Sequence, residues 1–388
     1  MTILHYTHKF EKGDLLSDYL NTLISNQRKE NVEVKVVRGR ADFKQAMLDA
    51  KPNIVHIHTC WNYNAFLCAK AAKKQGCAVV FSPHWGLSPL IMKTEQPLRK
   101  KLRTLCYQRQ MITLVDSIIV TTQEEKVTLK ALGWNKRIDV APASMLNSSI
   151  SNETMVRQML LIYTKVIDTR YRIYMSENEV KCLFSLLSVG LQQTDGKRPL
   201  LPSEAILQLR KLTPVEWQRI LLCADDEFVR EYIDTAIERL QLDVPYINTA
   251  DIIRYNPKMP KAEGDIEQTK SLSTNYFSRS RIEDAANKED NLMKGLTLMI
   301  ANAQQLIKQQ KISLRHLSNI YTQMRYKDYD EDKIEEVLKQ MRLTKFARRL
   351  LHVFAQNLYL EEGYMPFTPL NDKKTRLFIN KLINKNRY

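Results

Sequence analysis

The sequence predicts a doubly wound α/β domain built on a parallel sheet, followed by an all-α region. Three observations carry that prediction. Short β-branched runs alternate with longer helical stretches through about residue 147. Beyond that point helix starts recur but no convincing strand does. Glycine is also scarce: of ten in the chain, five lie after residue 150, too few for the turns of a second nucleotide-binding α/β domain.

Taken in order, "TILHY" is a strand and the stretch from Leu15 to Gln27 a helix. "VEVKVV" is a second strand, and "ADFKQAMLDA" a helix that ends before Pro52. "NIVHIH" and "CAVVFS" are the third and fourth strands, with "NAFLCAKAAKKQG" between them stopped by Gly76. A long helix is expected over Pro97 to Thr113, then strand "SIIVTT", helix "EEKVTLKALG" and strand "RIDVAP". Strands this short, each followed by a helix, form a parallel sheet covered on both faces, a Rossmann-like layout whose ligands bind at the strand carboxyl ends. Residues 1–147 make this domain.

The later part reads as helices. "SENEV" and "TPVEW" each place Ser or Thr three residues before Glu, the reciprocal capping pattern. Residues 148–254 and 291–388 are expected as two helical subdomains, separated by a polar linker or long loop over 255–290. Asp328, Asp330 and Asp332 alternate like metal ligands but lack a calcium loop's glycine and distal glutamate; helix capping explains them.

Composition narrows the class. No run is long and apolar enough for a spanning helix, and "MTILHYTHKF" has no signal-peptide pattern. Six cysteines without a C-x-x-C spacing read as reduced thiols, which places the expected address in the cytoplasm. Residues 1–150 hold 22 Lys and Arg against 12 Asp and Glu, so this part carries +10 of the net +16. Such a field favours phosphate-bearing partners. Nucleic acid is disfavoured among them, because no recognised binding motif accompanies the charge.

In "PNIVHIHTCW", His56, His58 and Cys60 alternate, as residues on one face of a strand do. A metal site needs further converging ligands, and none is visible nearby; no metal and no cofactor are expected. Two readings stay open: hydrogen-bonded histidines at the end of a buried strand, or ligand-contacting groups there. In "KTEQPLRKKLRTLCYQRQ", Leu98, Leu102, Leu105 and Ile112 form a stripe expected to pack on the core. Arg99, Lys100, Lys101, Arg103 and Arg109 lie beside it, either as a solvated face or as a membrane-surface or phosphate contact.

The stretch "PNIVHIHTCWNYNAFLCAKAAKKQGCAVVFSPHWGLSPL" resembles the N-terminal, acceptor-side domain of retaining family-four glycosyltransferases of the GT-B fold. "VDSIIVTTQEEKVTLKALG" resembles the same family's fifth strand and Thr/Ser-x-x-Glu-Lys helix. The resemblance covers residues 1–142 and implies that His84 faces the transferred sugar as the catalytic histidine. It also implies substrate contacts from Gly13, His58, Trp61, Trp85 and Gly86. At Gly13 the family has a glycine pair for the donor diphosphate, and here one glycine stands alone.

The family's second domain is not legible. "APASMLN" replaces Pro-Asn-Gly, and no glutamate has another eight positions later, the spacing of the donor motif. The expected function is therefore glycosyltransferase-like, in bacterial surface-polysaccharide or glycan assembly. A sugar would pass from a nucleotide-sugar donor to a glycan or lipid-linked acceptor, at the inner face of the membrane. The alternative is an inactive scaffold whose helical half docks a partner protein.

Overall fold

The computed structural model describes residues 1–8, 10–11, 13–94, 96–193, 201–250, 252 and 265–383. They fall into two compact units, residues 1–170 with 250 and 252, and residues 171–249 with 265–383.

The first unit contains β1 (Thr2–Tyr6), β2 (Glu33–Val37), β3 (Ile54–Ile57), β4 (Ala78–Phe81), β5 (Ser117–Val120) and β6 (Ile138–Val140). All pair in parallel, in the order β2-β1-β3-β4-β5-β6. Successive side chains alternate between faces. Leu4, Tyr6, Val55, Ile57, Val79 and Phe81 point to one side, against Phe43 of α2 (Arg40–Ala50) and Ala69 of α3 (Tyr63–Lys74). Ile3, Ile54 and Val80 point to the other, against Leu20 and Leu23 of α1 (Leu15–Lys29). The chain order reverses between β1 and β3, the switch point at which open α/β sheets leave a crevice for ligands.

The helix over 97–113 is interrupted. It runs as α5 (Pro97–Arg103), a π-helical turn (Thr104–Gln108) and α6 (Arg109–Leu114), after a short α4 (Pro89–Thr94). The next helix, α7 (Gln123–Leu132), is capped by Thr122. The unit also extends past the expected boundary at 147. In α8 (Asn152–Asp168), Met155, Met159 and Tyr163 close the core beneath α1. The sequence reading placed these residues in the helical subdomain 148–254, and packing instead gives α8 to the first sheet.

The second unit is helical, and among its described residues no strand occurs. It comprises α9 (Tyr171–Tyr174), α10 (Glu177–Leu191), α11 (Ser203–Arg210), α12 (Pro214–Asp226), α13 (Arg230–Arg239), α14 (Tyr276–Ala286), α15 (Asn291–Lys308), α16 (Leu314–Tyr326), α17 (Glu331–Gln340), α18 (Thr344–Leu358) and α19 (Lys373–Ile383). Both capping boxes form, Ser176 with Glu179 and Thr213 with Glu216. Asp330 caps α17 by accepting from the Lys333 amide at 3.0 Å. Gly190 lets α10 and α13 meet backbone to backbone, since an added Cβ would fall on the Tyr232 carbonyl.

Two expectations change here. Helix α14 lies inside the stretch read as a linker, its N-cap Asn275 accepting from the Ser278 amide. Part of that stretch, 255–264, lies outside the described residues. The helices before and after it belong to one unit rather than two. Ile282, Ala285 and Ala286 are buried, too few apolar positions for a strong amphipathic signal in the sequence.

Candidate functional site

Alternation places His5 on β1, His56 on β3 and His58 just past it on the face covered by α1 and α8. His5 and His56 are paired in register, which brings all three imidazoles together at the β1/β3 switch point. They are buried. His5 Nδ1 lies 2.9 Å from His58 Nε2, and His58 Nδ1 lies 3.0 Å from His84 Nε2. At the inner end Gln27 of α1 presents Oε1 to His5 Nε2 at 2.9 Å. His56 stands beside this chain, 2.6 Å from the Tyr163 hydroxyl and 2.8 Å from Ser82 Oγ.

His5, His56 and His58 also have the proximity of a metal triad. Every one of their six ring nitrogens is already in a hydrogen bond, so a cation would have to break bonds in a buried place, and the cluster among the described residues contains no carboxylate or thiolate. The arrangement fits a hydrogen-bonded network better than a chelate. Cys60 is not part of it; its thiol donates to the Pro83 carbonyl at 3.4 Å.

Burial lowers His5 to about 4, with the Gln27 bond working the other way, and burial lowers His84 to about 4. His56 and His58 lie well below the ordinary imidazole value, first through burial and then through neighbouring imidazoles. The network is neutral at pH 7.

Three aromatic residues at the strand ends hold left-handed backbone: Trp61 (φ 58°), His84 (φ 47°) and Trp85 (φ 62°). Bulky side chains seldom sit there, and such strain persists where surrounding bonds over-determine it. Those bonds are present. The Trp61 amide donates to Gln108 Oε1 at 2.8 Å, and its indole Nε1 donates to the Gly86 carbonyl at 2.8 Å. The Trp85 amide donates to Glu125 Oε1 at 2.6 Å. Glu125 lies on α7; burial pushes its carboxyl up, against the lowering by the Trp85 and Thr121 amides. Gly86 is required sterically, because a Cβ there would meet Cys60 Sγ and the Pro83 carbonyl at 2.9 Å.

Of the residues singled out in the sequence, the fold brings His58 and His84 into one network, and joins Trp61 to Gly86. Trp85 shares the strained turn with His84 and is partly exposed. Gly13 takes positive φ (87°) in the loop after β1. The α1 N-terminus behind it is capped by the Asp14 carboxylate, which accepts from the Ser17 amide at 3.2 Å. That carboxylate occupies the position an anion would favour, so the loop is poorly suited to a diphosphate.

His5, Gln27, Tyr163 and Glu125 escaped the sequence reading. His5 carried a signal, since β1 and β3 are neighbours in a doubly wound sheet and their ends coincide. Gln27 and Tyr163 carried none, being polar positions on helices.

The basic segment reverses its expected orientation. Leu98, Leu102 and Leu105 are 79%, 63% and 74% exposed, and Leu90 on α4 is exposed too. Ile112 is buried, as are Tyr107 and Met111. The π-turn explains the split: one extra residue in a turn rotates the downstream face by about 100° relative to a continuous α-helix. The leucines therefore face out and Ile112 faces in. Lys100 is corrected as a surface contact: it points opposite to the leucines, is 7% exposed, and donates from Nζ to the Ile91 carbonyl at 2.7 Å. Arg99, Lys101 and Arg109 are exposed and Arg103 is partly so.

No helix among the described residues is long and apolar enough to cross a membrane. No curated protein and no solved structure matches the chain. Residues 24–143 match the family model of the glycosyl transferase 4-like domain, and with the parallel sheet and its flanking helices this match supports an N-terminal GT-B-like glycosyltransferase domain.

Proposed function

We propose that the front unit handles the acceptor and the transferred sugar in a glycosyl transfer from a nucleotide sugar, in bacterial surface-polysaccharide or glycan assembly. The observation that carries this reading is the His84 turn: a strained, anchored imidazole at the open end of a buried network, at the carboxyl ends of the strands. There a neutral imidazole can hydrogen-bond a sugar hydroxyl or stabilise developing charge in a water-poor setting. His58 supports His84 from behind, and Trp61, Trp85 and Gly86 shape the rim. Gly13 is a weaker contact, for the reason given above. Donor binding would come from residues beyond this unit or from a partner. Calorimetric titration with uridine and guanosine diphosphate sugars, followed by transfer assays on those that bind, tests the reading. His84→Ala is expected to reduce turnover about 100-fold; unchanged turnover removes His84 from the chemistry.

A lipid-linked acceptor is the favoured acceptor class, because the leucine face of α5 suits an anionic bilayer surface. Leu98, Leu102 and Leu105 repeat at helical spacing with Lys101 and Arg99 beside them, the pattern of an interfacial amphipathic segment. Exchanging all three leucines for alanine is expected to weaken sedimentation with phosphatidylglycerol-containing vesicles at least about tenfold, with no loss of folding. Equal binding by the variant, or none by the native protein, defeats the membrane assignment.

A second reading is a non-catalytic interaction module. Tyr276 and Phe277, 75% and 79% exposed at the start of α14, favour it. Absence of any nucleotide-sugar binding would shift the conclusion to this reading.

A further inference from the structure

We propose that Gln27 fixes the tautomer of His84 through His5 and His58, making these three positioning residues for the imidazole at the strand ends. The inference deepens the transfer reading and rests on it for its functional meaning, though its structural content can be measured without substrate.

The number of ring protons fixes the direction of the chain. Each imidazole–imidazole bond holds one hydrogen, so two linked neutral rings must each donate at one nitrogen and accept at the other. Gln27 Oε1, 2.9 Å from His5 Nε2, can only accept. His5 therefore carries its proton on Nε2, and its bare Nδ1 accepts from His58 Nε2–H at 2.9 Å. His58 Nδ1 is then bare and accepts from His84 Nε2–H at 3.0 Å. All three rings take the Nε2–H form, and the nitrogen left with a free lone pair is Nδ1 of His84. A single amide, three bonds away, thus decides which His84 nitrogen can accept a proton or a hydroxyl hydrogen.

The surroundings keep the order intact. The rings of His5 and His58 stack at 5.1 Å, those of His58 and His84 at 5.3 Å, and Tyr19 packs edge-on against His84 at 5.5 Å. No water competes for the bonds of a ring with no exposed surface, and His5 has none. His56 is excluded from the relay because both its nitrogens are held by Tyr163 and Ser82. An unordered network would populate both tautomers of each ring, as free imidazole does; this one has a direction.

Long-range proton–nitrogen correlation spectra of ring-labelled protein at pH 7.5 test the proposal. In the native protein His5, His58 and His84 are each expected as a single Nε2–H tautomer. An Nδ1–H or mixed His84 overturns it even if no variant folds. In Gln27→Leu the terminal acceptor is gone, and His84 is expected to become a tautomer mixture. Gln27→Glu keeps an acceptor in place and is expected to keep the native His84 pattern. A His84 signature unmoved by Gln27→Leu overturns the proposal. Should transfer be detected, Gln27→Leu is expected to lower kcat about tenfold with KM little changed. If no transfer is ever found, the spectra still decide the relay, so the two failures remain separate.

Discussion

Acidification from pH 6.5 toward pH 4 is expected to destabilise and then unfold the α/β unit. His5, His56 and His58 are buried and neutral; burial holds His5 at about 4 and the other two well below their ordinary value of 6.5. In the unfolded chain all three take up protons as pH falls through about 6.5, while in the folded chain His5 does so only near 4 and His56 and His58 only well below 6.5. The unfolded state binds more protons throughout that window. The contribution of these residues to stability is therefore fully present above pH 6.5 and is lost as pH falls toward 4. His5 alone removes about 1.4 kcal/mol per pH unit between those values, and His56 and His58 add to the loss in the same direction. Trp61, Trp85 and Trp134 report on this unit and Trp217 on the helical one. Fluorescence and circular dichroism between pH 7 and 4 should show a cooperative transition with an uptake of at least two protons. A melting temperature that stays flat over that range contradicts the buried neutral network.

Replacing Asp226 by alanine is expected to destabilise the helical unit by about 3–5 kcal/mol, the loss typical of stranding a buried charge. Arg172 is buried and donates from Nε to Asp226 Oδ2 at 2.9 Å and from Nη2 to Glu227 Oε1 at 2.7 Å. The Tyr171 hydroxyl donates to the same Asp226 oxygen at 2.5 Å. Glu227 in turn accepts the Leu314 amide at 2.7 Å, tying the C-terminal end of α12 to the start of α16. Removing Asp226 leaves a guanidinium with half its countercharge and a hydroxyl without its acceptor. Asp226→Asn, which keeps an acceptor of similar shape, should lose less. Denaturant titration read at Trp217, on the same helix as Asp226, measures both; a loss below about 1 kcal/mol for the alanine variant would show that the network reorganises.

The family-level pattern was legible because it rests on local spacing. "NIVHIH" followed by "SPHWG" gives strand ends and their histidines, and periodicity alone separates the α/β half from the helical half. The sequence also marked the basic segment, yet misjudged it. Spacing put Ile112 on the leucine face, and only the π-turn at Thr104–Gln108 moved it to the core and exposed Leu98, Leu102 and Leu105. A one-residue change of helical phase leaves no reliable trace in composition. Helix α8 was similar: the sequence grouped residues 148–254 as a helical subdomain, and only packing, with Tyr163 against His56, made α8 a cover for the first sheet.

By itself, the sequence determined the order of strands and helices, the caps, and the presence of His56, His58 and His84 at strand ends, since these depend on neighbours within a few positions. Tertiary structure alone decided that those histidines are linked to His5 and Gln27, and that Trp61, His84 and Trp85 are held in strained backbone by Gln108, Gly86 and Glu125. Such bonds join residues 22 to 53 positions apart or bridge different strands and helices, and which pairs meet is set by strand order and helix packing, not by local preference.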